Sequence, residues 1–193
     1  MQEYFNELIT TKINPFMKNN GYKKYGLSYY TYINNFVLLI NIQKSQGNTS
    51  DVVRFYINCG IYFKNIEMKL GNNILEKPKT YNCHYQKRIE QITRSNTQWY
   101  EISKNSNMEL LTKILLNEIN SVIGFYKQIK TEDDFLSLII NSNGLNNYEK
   151  IFKYLKYSNK TEHISEYRNN IEELLKNDHR KGFFMNKINE IIK

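Results

Sequence analysis

The sequence predicts an α+β fold: an antiparallel sheet of about five strands, with an N-terminal helix and a C-terminal helical layer. The stretch from Leu38 to Phe63 alternates between apolar and polar side chains in two halves interrupted by Gln43–Gln46, the period of strands with one buried face. From Ser106 onward, apolar residues recur every three or four positions, the period of amphipathic helices. The strands precede the helices instead of alternating with them, and this order favours an antiparallel sheet over a doubly wound one.

The N-terminal helix is predicted from an apolar stripe between Phe5 and Met17. Pro15 interrupts this stripe, and Asn14 is a suitable cap for a new helical turn that starts with a proline. We therefore expect a kink or break at Pro15. Gly21 is predicted to end the helix in a left-handed conformation.

Strands are predicted from alternation and from the turn residues between them. Asn34-Asn35 favours a tight turn, and Gly47–Asp51 is a second turn cluster. In the third strand the odd positions from 53 to 63 are apolar and are expected to face the core. The predicted strands cover residues 27–33, 36–43, 53–63, about 81–92 and 99–102, with a short helix near 66–70.

The helical part is predicted to begin with a capping box formed by Ser106 and Glu109, followed by a long helix that continues to Ile129. Thr131 to Asp134 opens a second helix in a similar way, and three more apolar stripes follow it. We predict one α+β domain over residues 1–150. Residues 151–193 are predicted to be a helical extension packed on that domain.

The net charge of +8 is concentrated in the first half of the chain. Residues 1–100 contain 13 Lys/Arg and 6 Asp/Glu, a net of +7, whereas residues 101–193 contain 14 and 13, a net of +1. Such a field favours an anionic partner: an acidic protein, nucleic acid or a phosphate ligand. The alternative is dispersed surface charge that maintains solubility.

The chain is expected to be cytoplasmic and not to enter a membrane. Its longest apolar run, Phe36–Ile40, is far shorter than the roughly 18 residues that a membrane-spanning segment needs. Its beginning lacks the basic and then apolar pattern of a secretory signal. Cys59 and Cys83 are too few for a disulfide framework and are expected to stay reduced.

Polar side chains on adjoining strands form the best candidate site. Asn41, Arg54 and Asn58 belong to the polar phase of their strands, and His84 and Arg88 continue it on the fourth. Such groups can bind a carboxylate, a phosphate or the edge of a nucleobase through hydrogen bonds. The alternative is a solvent-exposed or helix-covered face whose polar groups form hydrogen bonds with one another. The candidate binding residues are Asn41, Gln43, Lys44, Arg54, Tyr56, Asn58, His84, Arg88 and Trp99.

No catalytic residue, metal site or cofactor is predicted. Ser45 lacks the glycine pattern of a nucleophile elbow, and there is no CxxC, HExxH, GxGxxG or Walker motif. Cys83 and His84 are adjacent, so on a strand they point to opposite faces and are poorly placed to share an ion. The acidic run Glu132–Asp134 is interpreted as a helix cap and not as a magnesium site.

Several short stretches in this order resemble an uncharacterised bacterial family, domain of unknown function 4304. The resemblance covers about residues 1–150 and implies a small soluble α+β domain without an established activity. The stretches are Gly21-Tyr22-Lys23-Lys24, Ser28-Tyr29-Tyr30, Ile40-Asn41-Ile42-Gln43-Lys44-Ser45, Phe55-Tyr56-Ile57-Asn58-Cys59-Gly60-Ile61, Cys83-His84-Tyr85-Gln86-Lys87-Arg88-Ile89 and Trp99-Tyr100.

Three functions are therefore compared. The first is a non-catalytic protein that binds another protein, for example a toxin-neutralising immunity protein, by analogy alone. The second is a nucleic-acid-binding protein that uses the basic first half and aromatic stacking. The third is an enzyme with an unfamiliar site around Gln43, Lys44, Arg54, His84 and Arg88. The first is our prediction.

Overall fold

The N-terminal segment is one helix whose pitch changes in the middle. In the computed structural model, which describes residues 1–142 and 144–193, α1 (Gln2–Glu7) runs into a π-helical stretch (Leu8–Ile13) and then into α2 (Asn14–Asn19). Pro15 cannot donate to the carbonyl four residues earlier and crowds it, so the widened turn before it lets the chain remain helical. Of the predicted kink or break at Pro15, the break does not occur, because the helix continues from a π-helical stretch into α2.

Two local predictions for this helix have different outcomes. Asn14 does not cap a new turn; it lies within the helix, and its Oδ1 accepts a hydrogen bond of 2.7 Å from the Tyr29 hydroxyl. Gly21 has a φ of +81°, which confirms the predicted left-handed end.

In the part of the chain that the structure describes, six antiparallel strands form one sheet. Strands β1 (Lys23–Tyr25), β2 (Ser28–Ile33), β3 (Phe36–Lys44) and β4 (Val52–Phe63) pair in chain order. Two short strands then pair with the free edge of β4: β5 (Tyr85–Arg88) along residues 58–61 and β6 (Tyr100–Ser103) along residues 52–55. The predicted antiparallel sheet is confirmed.

Helices connect and follow these strands. Helix α3 (Lys64–Lys69) follows β4, and α4 (Ile89–Thr93) follows β5 directly. The strand predicted over about 81–92 is therefore too long, because its first residues form a 3₁₀ turn (Thr80–Asn82) and its last ones belong to α4. The C-terminal helices are α5 (Met108–Tyr126), α6 (Glu132–Ser142), α7 (Tyr148–Tyr157), α8 (Thr161–Leu174) and α9 (Lys181–Ile192).

The starts of α5 and α6 test the predicted caps. Asn107, not Ser106, caps α5, and its side chain accepts a 3.0 Å hydrogen bond from the Leu110 amide. At α6 the prediction is confirmed: Asp134 accepts from the Thr131 amide while the Thr131 hydroxyl accepts from the Asp134 amide.

The sheet buries one face under helices. The odd positions of β4 from Val53 to Phe63 are buried there, as predicted from their alternation. We call this side the helix face. Its core includes side chains of the N-terminal helix and of α5–α9. Phe5 packs edge-on against Phe55 at 5.2 Å, and Phe135 of α6 packs on Phe63 at 5.3 Å between ring centres.

The helices after residue 150 share this core. Phe152 of α7, Tyr167 of α8 and Ile188 of α9 are buried in the same cluster as the sheet. A boundary after residue 150 falls inside α7. Among the described residues, no helix has the length and apolar content required to traverse a bilayer.

Candidate functional site

The second side of the sheet, which we call the polar face, is covered over one half only. The segment 71–84, the covering segment, lies over the half near Phe63. Tyr30 and Tyr32 donate hydrogen bonds to the carbonyls of Pro78 and Glu76, at 3.3 and 3.0 Å. A small apolar cluster that includes Leu39, Tyr62 and Cys83 is buried there. The other half carries most of the predicted binding residues.

A row of side chains crosses all five neighbouring strands of this face, and each residue stands directly opposite the next. The row consists of Tyr25, Ser28, Asn41, Asn58 and Arg88. Asn41 donates to the Ser28 hydroxyl at 2.9 Å, and Asn58 donates to Asn41 Oδ1 at 3.2 Å. Asn58 also donates to Gln43 Oε1 at 2.9 Å, so the centre of the row is a connected network of amides.

Arg88 lies over an aromatic ring. Its guanidinium carbon lies 4.0 Å from the centre of the Tyr56 ring. Within the described residues the guanidinium has no hydrogen bond or ion pair, although the Arg88 backbone amide is bound by Gln91. A positioned guanidinium whose N–H groups are unused is suited to bind an oxygen anion in a bidentate fashion.

Arg54, by contrast, already has an anionic partner on the same face. Its Nε donates to Glu101 Oε2 at 2.7 Å, and its guanidinium lies 5.9 Å from the Trp99 ring. Trp99 is 44% exposed. Asn48 binds both the amide and the carbonyl of Arg54, which fixes the backbone where the arginine projects. The pair of Arg54 and Trp99 is thus preorganised but internally neutralised.

Seven of the nine predicted residues therefore lie together. We call them the arginine–aromatic surface: Asn41, Gln43, Arg54, Tyr56, Asn58, Arg88 and Trp99. Gln43 and Arg54 are exposed, Asn41, Tyr56 and Arg88 are half-buried, and Asn58 at the centre of the amide network is buried. Since Arg54 and Arg88 are on the same side of the sheet, the alternation that predicted this surface holds across three strands.

Lys44 is not part of this surface. It shares the phase of Ile40 and Ile42, so its side chain points to the helix face at the end of β3. There its ammonium group donates to Gln2 Oε1 at 3.0 Å and lies 5.6 Å from the Phe5 ring centre. Its role is to cover the start of the N-terminal helix.

His84, the last residue of the covering segment, is completely buried, and its ring stacks on Tyr62. Nδ1 accepts a hydrogen bond from the Phe63 amide at 3.1 Å, so the proton of the neutral ring is on Nε2 and points to Glu67 Oε1, 2.9 Å away. With Nδ1 occupied by the backbone, this histidine is not placed to act as a general base.

Glu67 is the centre of a buried polar cluster. Lys150 of α7 and Asn72 donate to its carboxylate, each at 2.8 Å. Burial raises the pKa of Glu67, but the hydrogen bonds from His84, Lys150 and Asn72 outweigh it and lower the pKa to about 2. Burial lowers the pKa of His84, against the opposing effect of Glu67. The cluster thus pairs a carboxylate with an ammonium and a neutral imidazole.

The five side chains of the enzyme hypothesis consequently do not share one cleft, because Lys44 is on the helix face and His84 is buried. Cys59 and Cys83 are free and buried, and burial raises the pKa of both thiols. In the described part of the chain, no three His, Cys, Asp or Glu residues are grouped as metal ligands.

Three residues that contact or extend the arginine–aromatic surface were not predicted from the sequence. Glu101 is the partner of Arg54, and Tyr25 and Ser28 complete the row. Tyr25 lies in a strand of three residues, which is too short to show an alternation. Glu101 carries a detectable signal, because its alternation with the buried Tyr100 and Ile102 places it on the polar side of β6.

A separate groove of about 480 Å³ lies between the N-terminal helix and α5. It is lined by Tyr4, Leu8 and Met108 and also by the charged residues Glu7 and Lys113. It is formed by helices and includes none of the predicted residues, so it is not part of the arginine–aromatic surface.

The comparison with known proteins identifies a family but no activity. No curated protein and no solved structure matches the chain. The family model that matches it is described as a domain of unknown function (DUF4304) and covers residues 13–181 of the 193, further than the resemblance over about 1–150. Because this match includes α7 and α8 and covers most of the sequence, the chain belongs to the DUF4304 family.

Proposed function

We propose that this protein is a non-catalytic binding protein that holds an acidic protein partner on the arginine–aromatic surface. The observation that carries the proposal is the presence of two arginines, each positioned on an aromatic ring, on a half of the sheet that the covering segment leaves accessible. Arginine, tyrosine and tryptophan are the residues that most often dominate the binding energy of protein interfaces.

The rigidity of these side chains supports the proposal. Tyr56 is constrained by its strand and by Arg88, and Arg54 is constrained by Glu101. Side chains that are ordered before binding lose less conformational entropy in the complex. A partner therefore gains affinity from contacts that are already in place.

The charge distribution indicates the nature of the partner. Residues 1–100, which include five of the six strands and the whole arginine–aromatic surface, have a net charge of +7. Such a field accelerates encounter with an acidic protein. An immunity protein that neutralises an acidic toxin is one concrete form of this function. Two buried free thiols suit a reducing compartment, and we propose the cytoplasm.

A photo-cross-linking amino acid at the surface tests the proposal. Replacement of the exposed Gln43 by p-benzoylphenylalanine is expected to give protease-sensitive adducts in host extract, whereas the same group at the exposed Asn120 on α5 should give none of them. The captured protein, once purified, is expected to bind wild-type chain at least tenfold more tightly than Trp99→Ala, the cost of one interface anchor.

The proposal would fail if the adducts form equally at both positions, or if Trp99→Ala leaves the affinity of the purified partner unchanged. Trp99 is 44% exposed, so its replacement is expected to leave the fold intact. Circular dichroism and the unfolding midpoint of Trp99→Ala check this directly.

Single-stranded nucleic acid is a second candidate, and one observation favours it. Five basic side chains lie over aromatic rings on the polar face and its covering segment: Lys77 on Tyr25, Lys64 on Tyr32, Lys79 on Tyr81, Arg54 on Trp99 and Arg88 on Tyr56. Basic and aromatic groups together are typical of single-strand binding. We rank it second because cations already cover these rings, and a stacked base would have to displace them.

The dependence of oligo(dT) affinity on salt concentration distinguishes the nucleic-acid candidate from the protein-binding one. A nucleic-acid-binding surface requires nuclease-sensitive adducts at position 43 and binding that weakens steeply as salt rises. Protease-sensitive adducts without oligo(dT) binding support the protein partner.

A further inference from the structure

The row across the polar face has positive charge at its two ends and neutral groups between them. Arg88 ends the row on β5. At the other end, Lys77 of the covering segment lies over Tyr25, with its ammonium 4.3 Å from the ring centre. Neither cation has a carboxylate partner among the described residues, whereas Arg54, outside the row, is paired with Glu101.

The middle of the row is made of Ser28, Asn41 and Asn58, which are held in place by their own hydrogen bonds. Amide and hydroxyl groups of this kind bind the N–H and C=O groups of a peptide backbone well. A nucleic acid would instead place phosphates against this neutral region as well as against the ends.

The distance between the ends follows from the sheet. Five strands have four spacings of about 4.8 Å, which puts the two ends of the row about 19 Å apart. An extended peptide advances about 3.3 Å per residue, so carboxylates six positions apart are separated by about 20 Å. The backbone positions at the two ends of the row are therefore spaced like two acidic side chains at positions i and i+6 of an extended segment, within reach of the long Arg88 and Lys77 side chains.

We infer that the row binds an extended acidic peptide segment laid across the strands, with one carboxylate on Arg88 and a second, six residues away, on Lys77. This inference rests on the proposed function and specifies which part of the partner is recognised. It assigns a binding role to Lys77, which the sequence alone did not single out. It also assigns different roles to the two arginines, because Arg88 binds the ligand while Arg54 presents Trp99.

Two peptides of equal composition test the geometry. The spaced probe is acetyl-ESTSTSE-amide, with its two glutamates six positions apart, and the clustered probe is acetyl-STEESTS-amide. In an NMR titration of the full chain, the spaced probe is expected to bind about tenfold more tightly, the factor that corresponds to one additional charged hydrogen bond.

Variants with matched controls test the two ends. Arg88→Gln and Lys77→Gln are each expected to weaken binding of the spaced probe about tenfold. Each variant should then bind the spaced and the clustered probe equally well. Lys87→Gln and Lys24→Gln change neighbouring cations whose strand positions point to the helix face, opposite Cys59 and Tyr29. These two controls are expected to retain wild-type binding of the spaced probe.

The outcomes separate this inference from the proposed function. Equal binding of the two peptides, or binding of neither, overturns the two-point geometry. If Trp99→Ala still lowers the affinity for the purified protein partner in that case, the proposed function stands without the two-point geometry. Tighter binding of (dT)₇ than of either peptide would overturn both in favour of nucleic acid.

Discussion

Gly60 is a residue whose lack of a side chain is required by its neighbour. It lies in the middle of β4 on the polar face, where Cys83 packs against the sheet. A β-carbon at Gly60 would lie 2.6 Å from Cys83 Sγ and 3.0 Å from its Cβ, both closer than van der Waals contact permits. The glycine thus allows the covering segment to approach the strand, and its role is steric rather than conformational.

We therefore predict that Gly60→Ala destabilises the protein by about 1–3 kcal/mol, the usual cost of overpacking a buried site. Gly124→Ala is the matched control: a β-carbon added there on α5 would meet nothing within 4 Å, and alanine should stabilise this helix by about 0.5–1 kcal/mol. Urea denaturation measures both. A Gly60→Ala variant as stable as the wild type would contradict the steric role.

At the same scale, the sequence predicts which side of a strand a residue occupies but not what covers it. Alternation correctly placed Arg54 and Asn58 on the polar face. The same alternation places Lys44 with Ile42, so this lysine was predictable as a helix-face residue and its inclusion was an error of interpretation. His84 was not predictable, because its burial depends on the irregular path of the covering segment, which has no periodic pattern.

The covering segment is the element that divides the polar face into a buried and an accessible half. Its end is anchored by His84, whose ring is held between the Phe63 amide and Glu67. Asn72 near its beginning binds the same carboxylate, and Lys150 connects this carboxylate to α7. One buried glutamate therefore links α3, both ends of the segment and the C-terminal helices.

This anchor makes stability depend on pH. Because the pKa of His84 is lowered from 6.5, the unfolded chain binds its proton more readily, and the free energy of unfolding falls as the pH drops below about 6.5. The stabilisation from Glu67 is present above pH 4.5 and is lost as the pH falls towards 2. Urea denaturation at pH 7.5 and 5.5 is expected to show lower stability at pH 5.5.

His84→Gln should be less stable than the wild type at pH 7.5 and should lose less stability between pH 7.5 and 5.5. His179→Gln, which changes a solvent-exposed histidine, is the control for both measurements. An unchanged slope in His84→Gln would mean that other groups cause the pH dependence.

Element boundaries show where sequence patterns have enough length to be informative. The long helices and β3 and β4 were predicted from many periods of repetition. Strand β1 has only three residues and was missed. The segment 81–92 contains a turn, a strand and a helix, each too short to repeat its own hydrophobic period. The order of β5 and β6 along the same edge of β4 is determined by tertiary contacts, which no local sequence pattern reveals.

At the scale of the whole molecule, Tyr126 joins the helical layer to the centre of the sheet. Its hydroxyl, at the end of α5, lies 2.8 Å from the carbonyl oxygen of Leu39 and 3.1 Å from that of Gly60, and it donates to this pair. Burial raises the pKa of Tyr126 well above its usual range, so the hydroxyl remains a donor.

Tyr126→Phe is predicted to destabilise the fold by about 0.5–1.5 kcal/mol, because two buried sheet carbonyl oxygens lose the hydrogen bond from its hydroxyl. Tyr157→Phe, at a position that is 55% exposed, should change stability by less than about 0.5 kcal/mol. Both are measured by chemical denaturation. Equal stabilities of the two variants would show that the hydroxyl of Tyr126 does not connect the layers.

The order of elements along the chain has a consequence for biosynthesis. All six strands are complete by Ser103, before any residue of α5–α9 has been translated. A nascent chain at that stage can assemble its meander, yet the side that bears Phe55, Ile57 and Ile61 still lacks most of its eventual helical partners. Ribosome-bound intermediates with an exposed apolar sheet are prone to aggregation, so chaperone demand should peak during synthesis of the second half of this polypeptide.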